Sequence, residues 1–154
     1  MRWVLLILVL GVLACGDGDP PHEPLISGDV TGNFEGTIFA VAEGVADEVD
    51  GSAVILLGTD AIHCDSAELL RPPKGYFAAI SPPSFEVGGY GGVRVVVYAN
   101  DGSLNGAGDD GGTIEITASD ASSVAGSVEY SYLDSDANRY ALNGTFEVVR
   151  CAPQ

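Results

Sequence analysis

The chain has little positive charge. Its 6 lysine and arginine residues stand against 22 aspartate and glutamate residues, and its formal net charge is −16. A body with this charge repels the phosphates of nucleic acids and the anionic headgroups of membranes. The composition therefore predicts no nucleic-acid partner. It also predicts that the body stays off a membrane surface unless a covalent anchor holds it there.

Residues that commonly carry catalysis are also scarce. The chain has two histidines, of which only His63 lies in the body, and no GxSxG string occurs, so a Ser-His-Asp triad would have to use His63. Gly106 to Gly111 matches GxGxxG, but a phosphate-binding loop opens a helix, whereas Thr113 begins a predicted strand. The sequence therefore predicts that the protein is not an enzyme.

The first fourteen residues have the layout of an export signal. Arg2 precedes an apolar run from Trp3 to Leu13, and the small residue Ala14 follows it. A run of about a dozen residues is too short to span a bilayer core of roughly 30 Å as a helix. We predict a removable signal peptide over residues 1–14.

The end of this signal, Val12-Leu13-Ala14-Cys15, resembles the lipobox of bacterial lipoproteins. In that family the cysteine is diacylated on sulfur and becomes the mature N-terminus, so the resemblance implies that the protein is bound to the membrane through lipid on Cys15. Two or more acyl chains give stable attachment. An aspartate directly after the cysteine favours inner-membrane retention in the family. Gly16 stands there instead, which implies the outer membrane of the cell envelope, on its periplasmic or surface face. The alternative is an ordinary secretory signal with an incidental Cys15.

After Cys15 the chain changes in composition. Residues 15–27 are rich in glycine, aspartate and proline and predict a flexible tether. Residues 28–154 have the length of one domain and contain repeated β-branched runs separated by polar turns. They predict an all-β fold, an antiparallel β-sandwich or small barrel, with one short helical turn. That turn is Asp65–Leu70, which Pro72 and Pro73 end.

The alternation of apolar residues predicts where the strands lie. Gly28 to Asp47 forms one long or two short strands, and Ser52–Thr59 is apolar on both faces, as in a central core strand. The other predicted strands are Gly75–Ile80, Ser84–Val87, Gly92–Asn100, Thr113–Ala118, Val124–Leu133 and Arg139–Cys151. Within Gly92–Asn100, Val93, Val95 and Val97 share one face.

Two cysteines remain once Cys15 is acylated, namely Cys64 and Cys151. An even pair in an exported chain predicts one disulfide. The alternative makes Cys64, beside His63, a metal ligand or a nucleophile. Adjacent residues of a strand point to opposite faces, which disfavours a joint site of His63 and Cys64.

Three segments of the body carry a second resemblance: Gly111–Thr117, Val124–Tyr132 and Tyr140–Cys151. They resemble the C-terminal part of small exported β-rich bacterial lipoproteins to which no function is assigned. The resemblance implies a fold and no activity.

The acidic, glycine-rich stretch from Asp101 to Gly112 is the candidate metal site. Asp101, Ser103, Asn105 and Asp109 occupy positions 1, 3, 5 and 9 of a calcium-loop pattern, and Gly106 occupies its turn position. Position 12, normally glutamate, is Gly112. Two interpretations stay open: a weak Ca²⁺ site of the extracellular type, or a mobile acidic hairpin loop.

These observations predict a noncatalytic binding or structural module at the cell envelope, without a required cofactor and with an unknown protein or glycan partner. The alternative is a glycan-binding module or a weak Ca²⁺-binding surface protein. Glycan binding would use Tyr90, Tyr130 and Tyr132 as a stacking platform if they face outward.

Overall fold

A computed structural model describes residues 25–64 and 72–152. Within these two ranges the regular structure consists of ten strands that belong to a single sheet. The strands are β1 (Ser27–Gly28), β2 (Thr31–Phe34), β3 (Thr37–Ala40), β4 (Glu43–Val49), β5 (Ser52–Gly58), β6 (Gly75–Ser81), β7 (Gly88–Asn100), β8 (Leu104–Ser119), β9 (Ser123–Leu133) and β10 (Arg139–Arg150).

The sheet closes on itself through β10. Along one edge β10 pairs antiparallel with β9, and at the end of its other edge it pairs in parallel with β4, with Val149 opposite Val45 and Arg150 opposite Ala46. The pairings from β4 to β9 are antiparallel and follow chain order. Seven described strands, β4 to β10, therefore close a barrel. The all-β prediction is confirmed, and the architecture is a barrel with extra strands.

The barrel interior is filled by alternate residues of its strands. Val93, Val95 and Val97 of β7 are buried in the main core, which confirms their predicted common face. β5 is covered on both faces, as expected from its continuous apolar sequence. Ile55 and Leu57 point into the barrel, whereas Leu56 packs in a second apolar cluster on the outside.

The N-terminal part of the body departs from the prediction. Gly28 to Asp47 contains parts of four strands, because a two-residue turn at Glu35 and Gly36 reverses the chain between β2 and β3. Both turn residues have positive φ (50° and 89°), as the tight turns of β-hairpins require. β1 and β2 run antiparallel along β10 and fill its edge before β4 joins it.

The predicted strand Ser84–Val87 is wrong. The segment between β6 and β7 is a bend, because Pro82 and Pro83 lack the amide donors that a strand ladder needs. Phe85 turns inward from this segment, is 5% exposed and belongs to the main core. The segment therefore plugs one end of the barrel.

The prediction of a loop over Asp101–Gly112 is also wrong. Only Asp101–Ser103 connect β7 to β8, and Leu104 already begins the longest strand. Glycines are used here for close packing: a Cβ on Gly106 would collide with the ring of Tyr98, its cross-strand partner. The ring of Tyr98 therefore lies over Gly106 of β8, in a segment whose composition predicts a loop.

Several predictions concern residues outside the described ranges. These are the signal peptide (1–14), Cys15, most of the tether and the helical turn Asp65–Leu70. The last tether residues already contact the barrel, since the Ile26 amide donates to the Glu147 carbonyl at 2.8 Å and Ser27 begins β1. In the described part of the chain, no helix is long and apolar enough to cross a membrane.

Candidate functional site

A shallow cavity of about 210 Å³ lies on the outside of the barrel, over β5, β6 and β7. We call it the outer groove. Its lining residues are Val54, Leu56, Ala79, Ser81, Arg94, Val96 and Tyr98.

Strand alternation builds the floor of the outer groove. Leu56 pairs with Ala79, and Ala79 with Val96, so the outward residues of three neighbouring strands form one apolar row. At one end the Tyr98 ring stacks on Phe77, with ring centroids 4.7 Å apart, and covers Gly106. Because Val93, Val95 and Val97 share the inner face of β7, alternation places Arg94, Val96 and Tyr98 on its outer face, but the sequence pattern does not show that the outer faces of β5 and β6 lie beside it.

The polar groups of the outer groove lie at its rim. Arg94 pairs with Asp110 at 3.3 Å, and both side chains are well exposed. Burial raises the pKa of Tyr98, and the charge of Arg94 partly opposes that rise. Tyr98 therefore keeps its phenol proton at neutral pH. The groove offers apolar contact, the Tyr98 phenol, the Ser81 hydroxyl and the Arg94 guanidinium, which suits binding; the residues that line it include no base that could activate a nucleophile.

The predicted disulfide is present. Cys64 and Cys151 are joined, with their Cα atoms 5.6 Å apart. Cys151 belongs to the outer apolar cluster with Val45, Leu56 and Ile62, and its amide donates to the Ala46 carbonyl at 2.8 Å. The bond therefore lies at the parallel seam between β4 and β10. A disulfide sulfur is neither a thiolate ligand nor a nucleophile, so the alternative interpretation of Cys64 does not fit this state.

The four candidate calcium ligands are not brought together as a loop would bring them. Asp101 and Ser103 lie in the connection before β8, whereas Asn105 and Asp109 lie on β8 itself. Asn105 and Asp109 are four residue steps apart on an extended strand, a separation of roughly 13 Å. The Asp109 carboxylate accepts from the Gly111 amide at 2.9 Å. Among the described residues, no group of three or more His, Cys, Asp or Glu side chains could hold a metal ion.

The three tyrosines of the predicted glycan platform do not form one. Tyr130 is 1% exposed and lies in the main core. Tyr132 is half-buried against Tyr140, with ring centroids 5.9 Å apart. The Tyr90 hydroxyl donates to the Glu86 carbonyl at 2.8 Å at the opposite end of the barrel. Tyr130 lies on the inward face of β9. Alternation shows which residues of a strand share a face, but it does not show which face points inward.

Two structural clusters escaped prediction from the sequence. At one barrel end, Phe34, Phe39, Tyr76 and Tyr140 pack their rings together, with Phe39 stacked on Tyr76 at 5.2 Å. At the other end, the Arg150 guanidinium lies 5.1 Å from the centre of the Phe85 ring. Both clusters join residues far apart in the sequence, so no local pattern marks them.

No protein-family model matches this chain, and no curated protein and no solved structure shows significant similarity to it.

Proposed function

We propose that the protein is an exported barrel, anchored by lipid on Cys15 in a bacterial cell envelope, that works as a noncatalytic binding or structural module. The observation that carries the proposal is the Cys64–Cys151 disulfide in a chain that also contains the signal-like residues 1–14. Disulfides persist in oxidising compartments such as the periplasm and are rare in the cytosol. An exported chain with a lipobox-like Val12–Cys15 is the simplest explanation of both features.

The direction of the strands determines which end of the barrel lies nearer to the tether. Chain entry at Leu25–Ser27 lies beside Glu147, near the end of β10. The connections Glu35–Gly36, Asp101–Ser103 and Asp134–Asn138 lie at the opposite end of the barrel, where β10 begins. A lipid on Cys15 would therefore attach the chain at the end of the barrel opposite those connections.

The negative charge of the chain explains why attachment to a membrane would need a lipid anchor. A chain of net charge −16 is repelled by anionic headgroups, and acyl chains contribute about 0.8 kcal/mol per buried methylene. The barrel would then stand clear of the bilayer, with the outer groove exposed to solvent and to partners. The apolar floor of that groove and its lack of a base-activated nucleophile support a binding role.

Metabolic labelling with fatty acid in a bacterial host tests the anchor. The wild-type chain should incorporate label and fractionate with membranes, whereas Cys15→Ser should incorporate no label and should be released or stall as a precursor. Cys64→Ser is the matched control, because it changes another cysteine and should keep the label. Labelling that persists in Cys15→Ser, or is absent from the wild type, would contradict the proposal.

A further inference from the structure

Strand β3 is the open edge of the sheet. Among the described residues, Thr37–Ala40 pair with β2 alone, and β3 stands at the end of the strand order. The other described strands of the barrel are flanked through ring closure. Like the two-residue β1, which pairs with β10 alone, β3 therefore presents one row of unpaired backbone groups to the surroundings.

The register identifies those backbone groups. Phe34 and Thr37 close a two-residue hairpin and form a hydrogen-bonded pair, as do Gly32 and Phe39 two residues on. The Val41 amide continues the same side, donating to the Val30 carbonyl at 2.9 Å. The amides and carbonyls of Ile38 and Ala40 consequently point away from β2. They supply two donors and two acceptors along the free edge.

Apart from its short length of four residues, the edge carries none of the usual protection against strand pairing. Natural edge strands carry lysine, proline, bulges or inward charges. Thr37–Ala40 contain no charged residue and no proline, and Ile38 is 75% exposed, more than any other large apolar side chain of the described residues. The register of β2 with β3 is continuous, without a bulge. An incoming strand would meet no local obstacle and would cover Ile38.

Charge selects the kind of strand that fits. Glu35 lies in the turn next to the edge and accepts from the Tyr140 hydroxyl at 3.0 Å, and Asp134 accepts from the same hydroxyl at 3.3 Å. The whole chain carries −16, so a second copy or an acidic segment would be repelled. A segment with lysine or arginine beside β-branched residues complements both the edge and its surroundings.

We propose that the free edge of β3, at Ile38 and Ala40 beside Glu35, binds an extended, positively charged segment of another protein as an added strand. Backbone hydrogen bonds to Ile38 and Ala40 give affinity, and the exposed Ile38 side chain and the acidic turn give selectivity. The inference deepens the proposed binding role by naming a surface and a partner class. It does not depend on lipidation and is tested separately.

The test measures hydrogen–deuterium exchange, resolved by residue, on the full-length chain in detergent. The probe is a short synthetic peptide that alternates lysine with valine. Two matched peptides serve as controls: one replaces lysine with glutamate, and the other is N-methylated at the amides that would pair. The basic peptide should slow exchange at Ile38 and Ala40 by roughly tenfold, because each amide gains a hydrogen bond. The controls should leave exchange at both unchanged.

The variant Ala40→Pro sharpens the test. Its missing amide donor faces the free edge, so the barrel should fold normally while the peptide loses its effect at Ile38. Three results would overturn the proposal. They are equal protection by the N-methylated peptide, binding that survives Ala40→Pro, and protection of Ile38 by self-association without any peptide. Loss of fatty-acid labelling in Cys15→Ser is independent of all three.

Discussion

The hydroxyl groups of two buried tyrosines, Tyr130 and Tyr140, make hydrogen bonds that could not be predicted from the sequence. The Tyr130 hydroxyl accepts from the Asp109 amide at 3.1 Å and so ties β9 to β8. The Tyr140 hydroxyl donates toward carboxylates of Glu35 and Asp134, which belong to two different turns. The inward positions of both rings follow from alternation, but their hydroxyl partners lie on other strands and turns.

Tyr130 predicts a loss of stability in alkali. Burial, followed by the charge of Asp109, raises the pKa of Tyr130 to about 12. The unfolded phenol loses its proton near pH ~10 while the folded one keeps it, so the free energy of unfolding falls as pH rises from about 10 to about 12. Urea unfolding at a series of pH values should show this fall. Tyr130→Phe should show a smaller one, and an unchanged slope would contradict the assignment.

The disulfide should contribute a large share of stability. Cys64 and Cys151 are separated by 87 residues, so their bond restricts the unfolded chain strongly. Cys151→Ala should lower the free energy of unfolding by roughly 2 to 5 kcal/mol. Cys15→Ser is the matched control and should leave the barrel's unfolding unchanged. Equal denaturation midpoints for wild type and Cys151→Ala would contradict this role.

Substitution of Gly108 tests whether β8 and β7 need a glycine at this position to pack closely. A Cβ at this position would collide with the backbone carbonyl of Val95, which cannot rotate away. Gly108→Ala should destabilise by about 1 to 3 kcal/mol. Gly89 also lies in this strand pair but has open space around it, so Gly89→Ala should leave thermal stability nearly unchanged. Equal melting temperatures for the two variants would refute the packing argument.

Strands with a regular alternation of apolar and polar residues were predictable, whereas the glycine-rich first half of β8 was not. The sequence located the predicted parts of β7, β9 and β10, because each alternates apolar with polar residues. It missed the first half of β8, where Gly106 and Gly108 leave no side-chain pattern to read. Close cross-strand packing explains those glycines, and it depends on the partner strand.

The end of β10 is held by an arginine clamp. Arg150 pairs with Glu48 at 2.7 Å, donates to the Asp120 carbonyl at 3.1 Å and lies over Phe85. Four elements thus meet at one guanidinium. Arg150→Ala should lower the free energy of unfolding by about 1 to 3 kcal/mol in chemical denaturation.

Arg94→Ala is the control for this clamp. Its pair with Asp110 is longer and more exposed than that of Arg150 with Glu48, so its removal should change stability by less than about 0.5 kcal/mol. A larger effect at Arg94 than at Arg150 would contradict the clamp.

For the whole molecule, the fold class and the disulfide were predictable, whereas ring closure and the outer groove were not. An even pair of cysteines needs only a compartment argument, and the bond is present. The parallel pairing of Val149 with Val45 joins strands that are far apart in the sequence, so no local turn predicts it. The outer groove forms because β5, β6 and β7 are neighbours in the sheet, and the sequence does not show which strands are neighbours. The candidate calcium residues do not share one loop, because Asn105 and Asp109 lie on β8.

We propose an exported barrel that carries a disulfide at its β4–β10 seam and is anchored by lipid on Cys15. The most direct measurement is intact-mass analysis of the mature chain, extracted from bacterial membranes under nonreducing conditions after alkylation of free thiols. We expect a chain that begins at Cys15, carries acyl mass there and has no alkylated cysteine. A chain that retains residues 1–14 without acyl mass, or one alkylated at Cys64 and Cys151, would contradict the claim.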